Sequence, residues 1–216
     1  LNKITDKNYI DTKNKIFELL NQILTENENT EDIIRISSAI FEIASTNRFY
    51  SKIYADLYSE LILQYEPMLL VFQESFDSFM NLFHHIEYVD SSLDYDKFCK
   101  INKDNEKRKA LSAFFINLMN NKIITKEKII QIIQQLLIQV NGFIHVEAKK
   151  NEVDELSENI VLLFQKEFFT LEDYQNVKIG DLHILEYIEF LAKSKSKDFK
   201  SLTNKTIFKF MDMVDM

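Results

Sequence analysis

Glycine and proline are almost missing from these 216 residues, with only Gly142, Gly180 and Pro67 present. Tight hairpins and phosphate-cradling loops depend on glycine, because their backbones turn through positive φ or approach a ligand closely. This scarcity excludes a β-rich fold and a nucleotide-binding P-loop, while helices joined by short polar loops have no such need. A single cysteine, Cys99, cannot form an intrachain disulfide, which points to a reducing compartment. No run approaches the ~20 consecutive apolar residues of a membrane helix. There is no secretory leader either, and a start at Leu1 rather than Met is what an excised piece would have. Positive charge is also short: 26 Lys and Arg face 34 Asp and Glu, for a formal net charge of −8. A domain whose main task is wrapping nucleic acid carries a basic face instead.

What is present is helical periodicity, nearly everywhere, over a length that suits one domain spanning residues 1–216. The first helix is expected from about Lys7 to Leu24, and the second from Thr30, as N-cap, to about Ala44. Ser51 opens a third that carries Tyr54, Leu57, Leu61 and Tyr65. Pro67, tolerated in a first turn, starts a fourth carrying Leu69, Leu70, Phe72, Phe76, Phe79 and Phe83. Residues 88–105 are polar, lack a period and read as the longest loop. A fifth helix follows to about Asn121, and Thr125 caps a sixth that Gly142 stops. A seventh runs from about Lys149 to Phe169, Asp181 caps an eighth, and Ser201 caps a ninth. Short links favour antiparallel neighbours, so helices pair one-two, three-four, five-six and seven-eight, with the ninth unpartnered. Pairs of about 40 residues match the repeat length of HEAT-type arrays. The expected fold is therefore all-α, an α-solenoid of stacked pairs, with a helical bundle as the competing architecture.

The order of several short motifs is similar to the middle domain of eukaryotic translation initiation factor 4 gamma. Leu1-Asn2-Lys3-Ile4-Thr5 resembles that family's "LNKLT" start. Phe41 and Ala44 follow, then Phe49 leading into Tyr54-Ala55. Leu69, Leu70, Gln73 and Phe76 resemble a family helix in which cysteine is usual where Phe72 stands. Lys107-Arg108-Lys109 with Leu111, Phe115 and Leu118 resembles its "RR-x-x-LG" helix, with Ser112 in place of the glycine. Thr125-Lys126-Glu127 resembles the start of the next one. Thr203-Asn204-Lys205, Phe208 and Asp212 resemble its last matched helix, with Lys205 and Thr206 at positions that are basic in the family. The resemblance implies a right-handed crescent of about five HEAT-like pairs, of which the tenth helix is missing here. It implies a monomeric cytoplasmic scaffold that binds a DEAD-box RNA helicase of the initiation factor 4A type, with other initiation factors held by flanking regions. Helicase contacts carried over from the family are Asn2, Lys3, Thr5, Asn47, Arg48 and Phe49 at one end, and Lys205, Phe208 and Asp212 at the other. Ordinary core packing is the alternative for Phe49, Tyr54 and Phe208. The same resemblance leaves open a role in mRNA decay or splicing, or a viral or parasitic mimic of the initiation factor.

Other features weigh towards packing or solvated surface. His84-His85 are adjacent, so on a helix they point ~100° apart, whereas helix-borne metal ligands prefer spacings of three or four. His145 with Glu147, and His183 alone, read as surface or packing residues, and Cys99 has no histidine partner. The series Phe72, Phe76, Phe79, Phe83 reads as core rather than a ligand groove. Lys107, Arg108 and Lys109, with Lys193, Lys195 and Lys197, are candidate phosphate contacts for weak RNA binding, against a solvated face. An RNA-binding solenoid without a helicase is thus a further alternative. No acid–base, nucleophilic, metal or cofactor constellation stands out, so the expectation is a chain that is not an enzyme.

Overall fold

The computed structural model describes residues 4–26, 30–170 and 177–216. Within them the chain is all-α. The helices are α1 (Tyr9–Glu26), α2 (Thr30–Thr46), α3 (Ser51–Gln64), α4 (Glu66–Ser78), α5 (Tyr95–Asn120), α6 (Lys126–Phe143), α7 (Lys150–Leu163), α8 (Ile184–Lys193) and α9 (Asn204–Asp215). Short 3-10 turns follow α4 (Phe79–Phe83) and α7 (Lys166–Thr170), so both helices end sooner than their apolar patterns suggest. One antiparallel hairpin, β1 (Lys178–Ile179) with β2 (Leu182–His183), leads into α8.

Several boundaries differ from the expected ones for local reasons. Residues 95–105 are not loop: Asp94 caps α5 there, its carboxylate accepting from the Lys97 N–H at 2.9 Å. The eighth helix is not capped by Asp181, which lies in the hairpin turn beside Gly180 at φ +60°, the left-handed backbone glycine accepts without strain. Glu186 instead reaches back to the His183 N–H at 2.9 Å and closes the first turn of α8. The ninth helix is capped by Thr203, whose hydroxyl accepts from the Thr206 N–H at 3.0 Å. Ser201 ties loops together, donating to the Val146 carbonyl and accepting from the Lys149 N–H. Gly142 lies inside the last turn of α6 rather than beyond it. Pro67 does sit in the first turn of α4.

Aromatic side chains fill the first half of the core. Phe115 meets Phe79 edge-on at 5.0 Å and Phe76 at 5.1 Å, while Phe114 touches Phe41 and Tyr58 at 5.8 Å. Each such ring is worth about 1.5–3 kcal/mol by burial, and each favourable ring pair roughly 0.5–1.5 kcal/mol more. Phe72, Phe79 and Phe83 are buried and Phe76 half-buried in this cluster, so the series is core. Ile129, Ile133, Leu136, Leu137 and Val140 of α6 meet Val153, Leu156 and Ile160 of α7 in the second half.

The helices pair only partly as expected: α3 does pack on α4. α6 packs on α7 and α8 on α9, so the ninth helix has partners on two sides, α8 and α7. The long connection from α7 to α8, which holds the hairpin, releases those two from being neighbours. α5, α7 and α9 form a row that runs parallel, because their cross-links climb together. Arg108 and Ser112 of α5 meet Glu155 and Asn159 of α7, each 47 residues on. Ser157 of α7 meets Thr206 of α9, 49 residues on. Alongside, Tyr187 of α8 donates to Asn141 of α6, 46 residues back.

Candidate interaction surface

Three consecutive basic residues on α5 have three different fates. Lys107 is exposed, while Arg108 is buried to 5% exposure. The Arg108 guanidinium donates to Glu155 at 3.1 Å, to the Leu82 carbonyl at 3.2 Å, and to the Asn105 side chain. Lys109 is mostly covered and shared between Glu106 at 3.1 Å and Glu158 at 2.7 Å. Lys205 of α9 also reaches Glu158. Asp154 accepts from Thr203 and Thr206, and Asn159 donates to Glu155. The result is a charged seam that joins α5, α7 and α9. Burial pushes the Glu155 carboxyl above its usual range, against the pull of Arg108 and Lys109. Burial also pushes Glu158 up, but hydrogen bonds from Lys109 and Lys205 outweigh it and hold that carboxyl low. Arg108 and Lys109 are therefore corrected from phosphate contacts to structural links, since a phosphate would have to displace carboxylates already in place.

The other candidate residues lie on surfaces. Asn2 and Lys3 fall outside the described residues. Thr5 is half-buried and its N–H donates to Asn8 at 2.7 Å. Asn47 shapes the corner between α2 and α3 by accepting from the Tyr50 N–H at 3.2 Å. On that corner Arg48 is exposed and Phe49 is 88% exposed, its ring 4.9 Å from the Tyr50 ring. Phe208 is 62% exposed, on the outer face of α9 with Lys205, Met211 and Asp212. Core packing is thus overturned for Phe49 and Phe208, whereas Tyr54 is fully buried. Lys193, Lys195 and Lys197 are exposed, and Lys193 pairs with Glu189 on its own helix at 2.9 Å.

A groove of about 810 Å³ lies between α2, α4 and the first half of α5, and Lys107 stands on its wall. No single stretch of sequence points to it, because its lining comes from three helices and the 3-10 turn after α4, and residues 88–105 look unstructured on their own. The histidines play other parts: His85 meets Glu87 at 3.3 Å and the His145 ring leans on Phe199 at 5.4 Å. Among the described residues, no three His, Cys, Asp or Glu side chains cluster closely enough to hold a metal. No helix there is long and apolar enough to cross a membrane.

Comparisons with protein-family models, curated proteins and solved structures return no match to this chain.

Proposed function

We propose that this chain is an α-solenoid scaffold that binds a DEAD-box RNA helicase of the initiation factor 4A type and tunes its ATPase and RNA cycle. The observation that carries the reading is the layered repeat. From α5 to α9, cross-links recur at spacings of 46, 47 and 49 residues between helices of two neighbouring rows. Stacked helix pairs of HEAT type repeat at about 40–47 residues and leave an extended surface for partners. The motif order similar to the initiation factor 4 gamma middle domain supplies the client. Two aromatic side chains, Phe49 and Phe208, stand in solvent where that resemblance places helicase contacts. On the same resemblance, the scaffold acts by holding the two lobes of its partner in a chosen arrangement, and the chemistry belongs to the partner. Binding RNA without a helicase is the weaker reading, because two of its six basic residues, Arg108 and Lys109, are tied into the seam.

The test is an RNA-stimulated ATPase assay of the helicase with and without this chain, run beside a pull-down. The expected result is binding at micromolar concentration and a changed turnover. A rise fits translation initiation, and a fall fits a restraining role in mRNA decay or splicing. No binding would sink the reading.

A further inference from the structure

The groove between α2, α4 and α5 is not needed for the helicase reading, and its two walls differ in charge. The α5 wall carries Lys100, Lys103 and Lys107 at spacing i, i+3, i+7, which gathers them on one helix face. All three are exposed, and none is ion-paired among the described residues. Asp104 stands among them, while Glu106 is drawn to Lys109 at 3.1 Å. The facing wall carries Glu42 from α2 and Glu74 from α4, both exposed and likewise not ion-paired among the described residues. Among the described residues no salt bridge joins the two walls, so both sets of charges face the groove. Between the walls lies an apolar floor of Phe41, Val71, Leu82 and Leu111.

We propose that this groove seats an amphipathic helix from a partner protein. Its apolar stripe lies on the Phe41–Leu111 floor, an acidic flank faces Lys100, Lys103 and Lys107, and a basic flank faces Glu42 and Glu74. Helix-in-groove recognition works through such i, i+3, i+4, i+7 anchors, and the flanking charges select the partner and speed encounter. A nucleic acid strand fits less well, because Glu42, Glu74 and Asp104 would all meet its phosphates.

The test uses the whole chain and fluorescently labelled helical peptides of about 18 residues, with leucine anchors, glutamates on one flank and lysines on the other. Anisotropy at low salt is expected to show saturable binding that a scrambled peptide of equal composition lacks. The K100E/K103E/K107E variant, changed only at exposed positions, is expected to keep its melting temperature and to bind about tenfold more weakly. A peptide with lysines on both flanks is expected to show the reverse order, binding the variant better than the parent. Four results would each overturn the proposal: no saturable peptide binding, equal binding by parent and variant, single-stranded RNA as the ligand lost in the variant, or self-association lost in the variant. The assay contains no helicase, so its failure leaves the ATPase result standing, and the reverse holds too.

Discussion

Lys107, Arg108 and Lys109 look alike in a composition count, yet successive helical positions turn by ~100°. One consequently faces a groove, one is buried, and one bridges two helices. Arg108→Ala leaves the buried Glu155 carboxyl without its guanidinium, so unfolding in urea should show a loss of about 3–5 kcal/mol. The paired change Arg108→Met with Glu155→Leu removes both charges and should recover most of that loss. If the double variant is no better than the single one, the seam acts through packing rather than charge. Glu158 makes a pH prediction. Its folded carboxyl is held below the usual range, so its ionised form stabilises the fold above the unfolded pKa. That contribution disappears as pH falls through the folded pKa. Glu158→Gln should therefore lower the melting temperature near neutral pH and leave a shallower decline between about pH 5 and pH 2.

Helix α5 is the element whose extent was hardest to read. Its second half buries Leu111, Phe114, Phe115 and Leu118, and has a clear period. Between Tyr95 and Asn105 only Ile101 is fully buried, so the apolar signal disappears while the helix continues. Periodicity reports burial of a face, and this half has little to bury. Its stability rests on the cap and on continuity with the packed half. Asp94→Ala should cost about 1 kcal/mol locally, seen as roughly fivefold faster amide exchange over the first two turns of α5. Exchange in the second half should stay unchanged. The aromatic layer behaves oppositely: Phe115→Ala removes a fully buried ring in contact with four others. It should cost about 3–5 kcal/mol of global stability by calorimetry or urea unfolding.

At the scale of the whole molecule, stacking gives α5, α7 and α9 a common direction and leaves the outer face of α9 and the α2–α3 corner in solvent. Exposed aromatics contribute little to folding, so Phe49→Ala and Phe208→Asp should leave the melting temperature within about 1 °C of the parent. In the pull-down each should weaken helicase binding by about tenfold, the loss of one good anchor. Unchanged affinity in both variants would count against these two side chains as partner contacts.

The sequence alone established helices, most of their starts, and the aromatic series as core, because propensity and periodicity act within a few turns of chain. It also placed Tyr54 and Phe49 on either side of one boundary without saying which was buried. The pairing of α6 with α7 and of α8 with α9, the charged seam, and the oppositely charged groove were decided only by tertiary packing. Each depends on side chains from helices tens of residues apart, and the same lysine or phenylalanine reads identically in sequence whether its neighbour in space is water, a carboxylate or another ring. Scarce glycine and proline still describe the chain well: the one glycine at positive φ, Gly180, makes the hairpin turn, and the one proline starts α4.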